Sequence, residues 1–328
     1  MSRRTPTPSR ALLTLALALL LAPGAALAQA WPQRQAIKIV VPLSAGSATD
    51  IVARVVAEEL ERKLGQSIVV ENRVGAGGAV GTGAAAKAEG DGYTLLVNSA
   101  SHTVLPAMYT NLAYDTARDL AAVIPLGAVP TVLVVSPAKG YKSLADFVKA
   151  AKERPGAMNY GSAGVGNASH LNAERFRLSA GFEAAHVPFR GAPEALREVM
   201  AERIDFYFSP LLAALPLVQD GKLQILAVSG EKRAAALPDM PTTLEAGYPN
   251  SEYNFWIGMF APATTPRDIV ERLHKEAAAA LAAPVVAEKL KTLGVDPMPM
   301  TPAELDAYVQ KDIELNRELV KAAGIKPN

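Results

Sequence analysis

From residue 35 onward, the chain alternates short runs of β-branched residues with segments of helical periodicity. The first run, residues 37–42, has the composition of a buried strand, and residues 49–64 place apolar side chains on one helical face before Gly65. The same alternation continues along most of the chain. Strands that alternate with helices pack as βα units on largely parallel sheets. The sequence therefore predicts an α/β protein.

The length of the chain favours two lobes. Its 328 residues exceed what one small core needs and suffice for two α/β lobes. Two extended segments, residues 130–137 and 255–262, bracket a second set of βα units, so we expect the chain to cross between lobes there. The predicted first lobe comprises residues 31–130 plus 258–328, and the predicted second lobe comprises residues 131–257.

The first 28 residues have the order of a secretory signal peptide. Arginines at positions 3, 4 and 10 precede the apolar residues 11–22, and small residues end the segment. This apolar run is short for a membrane span, and no other stretch reaches about 20 consecutive apolar residues. We expect export followed by cleavage after Ala28, with Ala30 as the alternative site.

Cysteine content and charge restrict the partners of the mature chain. There is no cysteine, which excludes a disulfide framework and a lipid anchor on cysteine. Loss of residues 1–28 removes three arginines from 33 basic residues and leaves 30 against 32 acidic residues, a formal charge of −2. Nucleic acid is therefore not an expected partner.

No sequence motif points to catalysis, a cofactor or a metal. The glycines of residues 75–81 lack the dinucleotide and P-loop spacings, so we expect them to form a turn, with Arg73 paired to an acid. The nucleophile elbow, the zinc-protease motif and cysteine ligands are all absent, and the four histidines are scattered. A secreted hydrolase or transferase stays open, because catalytic triads are defined by geometry.

Polar loops follow several predicted strands, where open α/β sheets bind ligands. Free backbone N–H groups at a helix start favour an anion, although the same Ser and Asn residues also serve as caps and turns. Ser169 is expected to cap the helix that follows it. The candidate ligand-binding residues are Ser44, Ala45, Gly46, Ser47, Asp50, Ser99, Ser101, Gly161, Ser162, Ala163, Ser169, His170 and Asp205.

Asp205 stands out because it lies among apolar and aromatic residues at 204–208. A buried carboxylate costs free energy unless it is hydrogen-bonded or paired. Its expected partner is a ligand amino group, a backbone amide or Arg190.

Several ordered segments together resemble the Bug-type receptors of tripartite tricarboxylate transporters. They are Val40-Val41-Pro42, Glu71-Asn72-Arg73, Gly77-Gly78, Asn159-Tyr160-Gly161-Ser162, Ser169-His170-Leu171 and His186-Val187-Pro188-Phe189-Arg190-Gly191. The resemblance covers nearly the whole mature chain. It departs at Ser47, where the family usually has a second glycine, so this side chain either donates a bond to the ligand or narrows the pocket.

The resemblance implies a type II periplasmic-binding-protein fold, with two lobes joined by two crossing strands. It also implies a monomeric periplasmic receptor, not an enzyme, that closes around a small carboxylate and delivers it to a membrane permease. The carboxylates of the family include di- and tricarboxylates, acidic amino acids and aromatic acids. A ligand-loaded sensor that presents itself to a signalling receptor is the alternative within this class.

Overall fold

The computed structural model describes residues 31–327, so the predicted signal peptide and both cleavage sites lie outside the described residues. Its first nine regular elements are β1 (Ile37–Val41), α1 (Ala48–Leu64), β2 (Ile68–Asn72), a 3-10 turn (Ala76–Gly78), α2 (Ala79–Ala86), β3 (Thr94–Ser99), α3 (Ser101–Met108), β4 (Leu120–Ala128) and β5 (Thr131–Val135). The next seven are a 3-10 turn (Pro137–Lys139), α4 (Leu144–Glu153), β6 (Met158–Ser162), α5 (Ala168–Ala180), β7 (Ala184–Pro188), α6 (Ala192–Met200) and β8 (Phe206–Pro210). The chain continues through α7 (Leu211–Gln219), β9 (Gln224–Val228), β10 (Trp256–Pro262), α8 (Arg267–Leu281), α9 (Pro284–Thr292) and α10 (Pro302–Ala322).

The strands form two five-stranded sheets, in the orders β2-β1-β3-β10-β4 and β7-β6-β8-β5-β9. Four strands of each sheet run in the same direction, but β10 and β5 run antiparallel to both of their neighbours. The sheets are therefore mixed. The two antiparallel strands are the ones that enter each sheet from the other, which reverses their direction relative to the local βα units.

Two neighbouring stretches of chain connect the sheets. The amide of Val129, just after β4, donates to the carbonyl of Phe255, just before β10, at 2.7 Å. Residues 124–135, which the sequence presents as one extended run, are thus divided between β4 and β5. Pro130 lies at the division, and it has no N–H to continue a sheet ladder. The architecture is the two-lobed periplasmic-binding-protein fold.

Local signals explain the limits of the helices that carry the site. The Ser47 hydroxyl accepts from the amide of Asp50 and begins α1, and Gly65 ends the helix with φ 62°. The glycine-rich segment predicted as a turn, residues 75–81, forms a 3-10 turn and then the start of α2. Positive φ values at Gly77 and Gly78 interrupt the helical geometry there. Residues 98–102, predicted as a loop, end β3 and begin α3.

Alternating side chains of β8 fill two cores. Phe206 and Phe208 face one apolar cluster and Tyr207 faces the other, as the period of a strand requires. The C-terminal helices pack on the first sheet, where Asp306 of α10 accepts from the amide of Ala122 in β4 at 3.0 Å. Within residues 31–327, no helix is both long and apolar enough to cross a membrane.

Candidate functional site

The loop between β1 and α1 contributes the first wall of the candidate site. Ala45 and Gly46 form its exposed tip, and Gly46 has φ 77°. Ser47 is buried and its hydroxyl is used as the helix cap at 3.3 Å from the Asp50 amide nitrogen. Ser47 therefore shapes the loop from inside. The hydroxyl of Ser44 is buried without a protein hydrogen-bond partner.

The Asp50 carboxylate fixes the shape of this loop. Its Oδ2 accepts from the Gly46 amide at 2.9 Å, and its Oδ1 accepts from Arg54 Nε at 3.0 Å and Asn72 Nδ2 at 2.9 Å. Burial would raise the pKa of this carboxyl, but the three donors together hold the pKa below its ordinary value. Asp50, predicted as a ligand contact, is thus engaged as a positioning residue.

The loop between β6 and α5 contributes the second wall. Asn167, rather than the predicted Ser169, caps α5, because its Oδ1 accepts from the Ser169 amide at 3.0 Å. The Ser169 hydroxyl accepts from the Ala163 amide at 3.0 Å and donates to Asn167. Ser162 lies at the end of β6 and its Oγ is 2.6 Å from Nε2 of His186.

A stacked pair of histidines supports the second loop. The rings of His170 and His186 lie 3.8 Å apart and nearly parallel, and the Tyr160 ring lies 5.0 Å from His186 and 6.1 Å from His170. The Gly166 amide donates to Nδ1 of His170 at 3.5 Å. Burial lowers the pKa of His170 to about 4 and, together with repulsion from His170, lowers that of His186 to about 3. Both rings are neutral at pH 7, so the pair adds no positive charge to the site.

Ser101 connects the start of α3 to the start of α5, and Ser99 lies beside it. Both side chains are fully buried and their hydroxyl oxygens are 3.0 Å apart. Ser101 Oγ also accepts from Asn167 Nδ2 at 2.8 Å and from the Ala168 amide at 3.1 Å. A hydroxyl at the start of α3 thus receives two donors from the start of α5.

Replacement of Ser101 by Ala should destabilise the protein by about 1–3 kcal/mol, because two buried donors lose their acceptor. The measurement is urea denaturation of the mature protein. Ser99→Ala is the matched control, since the contacts of Ser99 stay within the first lobe. Equal midpoints for the two variants would contradict the bridging role of Ser101.

Asp205 does not face the β1–α1 and β6–α5 loops, which we call the first and second clamp loops. This corrects the prediction that Asp205 lies in the ligand cleft. It precedes β8, and its Oδ2 accepts from the amide of Asn159 near the start of β6 at 2.8 Å. Its Oδ1 accepts from Lys139 Nζ at 3.0 Å. A backbone amide was one of the three expected partners, whereas the cation is Lys139 and not Arg190. Because β6 and β8 are parallel, Asp205 lies at the edge opposite the loop after Ser162.

Contacts between the lobes involve glycines that the sequence analysis did not assign to the site. A Cβ on Gly191 would lie 1.9 Å from Ser44 Oγ, and a Cβ on Gly77 would lie 2.0 Å from the carbonyl oxygen of Val165. The absence of a side chain at these glycines lets the lobes meet. Sequence reasoning could have found these two glycines from their position alone. They lie in the loops after β7 and β2, at the same sheet edges as the predicted residues.

A cavity of about 610 Å³ opens beside the two loops, at the carboxyl ends of β1, β2, β6 and β7. Of the predicted residues, Ala163 lines it. The side chains of Ser99, Ser101 and Ser162 are fully buried. A larger, mainly apolar cavity of about 970 Å³ lies between β4, α8 and α9, and no predicted ligand residue lines it. In the part of the chain from 31 to 327, no cluster of three or more acidic or histidine side chains could hold a metal ion.

Comparisons with known proteins agree with this architecture. Residues 52–325 match the family described as "Tripartite tricarboxylate transporter family receptor". A Rhodopseudomonas palustris protein solved with adipate is 34% identical, with TM-score 0.87, over 91% of this chain and 100% of that one. MatC of the same species, solved with bound malate, is 30% identical, with TM-score 0.84, over 88% and 99%. The periplasmic binding protein BugD is 31% identical, with TM-score 0.85, over 89% and 99%.

Proposed function

Because this chain belongs to the tripartite tricarboxylate transporter receptor family, we propose that it captures a small carboxylate in the periplasm and delivers it to the membrane permease of such a transporter. It does so as a monomer, after cleavage of the signal peptide behind Ala28 or Ala30 and without a lipid anchor. The proposed lobes are residues 31–130 plus 258–328 and residues 131–257.

The observation that carries this proposal is that two helix-leading loops line one cavity between the sheets, through Leu43 on one side and Ala163 and Val165 on the other. One loop follows β1 and begins α1, and the other follows β6 and begins α5. The amino end of a helix carries partial positive charge and free N–H groups, which favour a carboxylate. The proteins solved with adipate and malate share this fold, which supports a carboxylate as the ligand class.

No chemical step on the ligand is part of the proposal. The buried hydroxyls of Ser99, Ser101 and Ser162 are bonded within the protein, and the paired histidines are neutral. A ligand that contacts both loops has more contacts in the closed form than in the open form. Its binding therefore shifts the population towards closure, and the closed form is the one that the permease recognises.

The test is to identify what the protein carries. Protein purified natively from the periplasm should release an unaltered small carboxylate on denaturation, detected by mass spectrometry. The same compound, added back to ligand-free protein, should raise its melting temperature, because a ligand that binds only the native state stabilises it. Release of a chemically altered product, or of non-acidic compounds alone, would contradict the receptor function.

A further inference from the structure

The cavity beside the clamp loops is wider and more apolar than a carboxylate group needs. Its volume is about 610 Å³, whereas about 150 Å³ is enough for a benzene molecule in an apolar protein cavity. Its apolar lining includes Pro42, Leu43, Val74, Tyr109, Val165 and Phe189. We call this space the cleft chamber. A two- to four-carbon acid would fill only part of this volume.

Two aromatic rings enter the chamber from opposite lobes. Tyr109 follows α3 of the first lobe, and its hydroxyl donates to the carbonyl of Val165 in the second lobe at 3.4 Å. Phe189 follows β7, and its amide donates to the carbonyl of Ser162 at 2.9 Å. The chamber thus adjoins the second clamp loop. A flat apolar group held there would contact ring faces or edges, which gives affinity beyond the burial of area alone.

The rim of the chamber is also apolar. Val74 is 42% exposed and is among the few large apolar side chains of the described residues that are open to solvent. Cover of this one side chain by a ligand would remove its apolar surface from water. Val74 lies on the first lobe, so an apolar ligand body would be covered from that side when the lobes close.

The charges around the chamber do not suit an amino acid. Only Arg190 and Glu194 among its lining residues are charged, and Glu194 Oε2 already accepts from the Arg190 amide at 3.0 Å. The nearby carboxylate of Asp50 is saturated by donors, and Asp205 is bonded to Lys139. A ligand ammonium held in the chamber would therefore lack an inner carboxylate, and an unpaired buried charge is costly.

The part of the chamber farther from the clamp loops does not suit a second ligand carboxylate either. Arg190 is its only cation, and this side chain is exposed at the rim. Ion pairs in such solvated positions contribute little to affinity. Apart from Arg190 and Glu194, the lining residues carry no charge.

We propose that the ligand is an aromatic monocarboxylate, with its carboxylate at the clamp loops and its ring in the cleft chamber between Tyr109 and Phe189. This inference rests on the proposed receptor function and adds the substrate class. The ring of the ligand determines specificity, while its carboxylate contacts both clamp loops.

The experiment measures binding of four probes to the mature, ligand-free chain by calorimetry: benzoate, malate, glutamate and adipate. Benzoate should bind at least about tenfold more tightly than the other three. Phe189→Ala should weaken benzoate binding about tenfold, because the loss of one ring contact is expected to change affinity by that order. Phe189→Leu, which keeps an apolar side chain and preserves the fold, should retain most of the affinity.

Arg190→Gln separates the aromatic monoacid from a long diacid. Benzoate affinity should stay within about threefold in this variant, because an exposed rim charge contributes little. Tighter binding of adipate, malate or glutamate than of benzoate would overturn the inference and leave the receptor function standing. Benzoate binding that is unchanged in Phe189→Ala would also overturn it. Failure of benzoate to bind would overturn the inference, whereas the receptor function is tested separately by the compound that the natively purified protein releases.

Discussion

Substitution of Gly191 by Ala should weaken ligand binding about 10- to 100-fold while leaving the ligand-free protein folded. The added Cβ would lie 1.9 Å from Ser44 Oγ and 3.0 Å from Ser44 Cβ in the closed arrangement. Overpacking of this kind costs about 1–3 kcal/mol, and 1.4 kcal/mol corresponds to a tenfold change in affinity. The two residues belong to different lobes, so separation of the lobes relieves the clash. Calorimetric titration with the ligand measures the effect.

Ser44→Gly provides the matched control for this prediction. Gly191 has φ 171° and ψ 174°, an extended conformation that alanine adopts, and it is the N-cap of α6. Any loss of helix capping is present in both Gly191→Ala and the Gly191→Ala/Ser44→Gly double variant. Glycine at position 44 removes both close atoms, so the double variant should recover affinity. Affinity that stays low in the double variant would place the effect in the cap and not in closure.

Replacement of Glu174 by Ala should lower the free energy of unfolding by about 3 kcal/mol or more. Glu174 is 5% exposed, and its Oε1 accepts from the Tyr160 hydroxyl at 2.5 Å. Its Oε2 pairs with Arg177 Nη2 at 2.7 Å. Removal of one partner leaves a largely buried guanidinium uncompensated, which costs about 3–5 kcal/mol in similar pairs. Urea denaturation measures this loss. The midpoint should fall, while the dependence of the unfolding free energy on urea concentration should stay unchanged.

The pKa values of the partners agree with this coupling. The hydrogen bond that Arg177 donates to Glu174 raises the pKa of Arg177. Burial, and next the negative charge of Glu174, raise the pKa of Tyr160. Glu174→Gln keeps an acceptor for the phenol but not the charge, so it should lose less stability than Glu174→Ala. Glu198 and Arg203 form an exposed pair, and Glu198→Ala should have no measurable effect. An equal response of the Glu174 and Glu198 alanine variants would show that the buried network does not stabilise the fold.

The same network connects stability to the binding site. The Tyr160 ring stacks on His186, and His186 bonds to Ser162 at the end of β6. The position of the second clamp loop therefore depends on residues that never reach the ligand. We expect Glu174→Ala to weaken binding as well as folding.

Much of the site could be predicted because its elements are defined by local sequence. The β1–α1 loop is bounded by an apolar run and by a capping serine, and Gly65 and Thr301 mark helix ends through neighbours within four residues. Glycine spacing likewise argued against a nucleotide loop at residues 75–81. Arg73 pairs with Glu71 at 2.7 Å, which confirms the expected acid partner two residues away.

Other parts of the site could not be read from local pattern. Ser99 and Ser101 looked like ligand contacts, yet their partners are each other and, for Ser101, the start of α5. Asp205 looked like a cleft residue because a buried acid needs a partner, but the register of β6 and β8 supplies Asn159. Ser47 could bond the ligand or narrow the pocket, and it caps a helix instead.

The sequence by itself determined the α/β class, the positions of most strands and helices, and the polar loops that follow β1 and β6, since each depends on residues close together in the chain. Only the tertiary structure decided the antiparallel insertion of β5 and β10, the approach of Ser44 to Gly191, and the presence of both Tyr109 and Phe189 in the lining of one chamber. These contacts join residues from different lobes. Their geometry follows from sheet order, register and lobe closure, which no periodicity along the chain records.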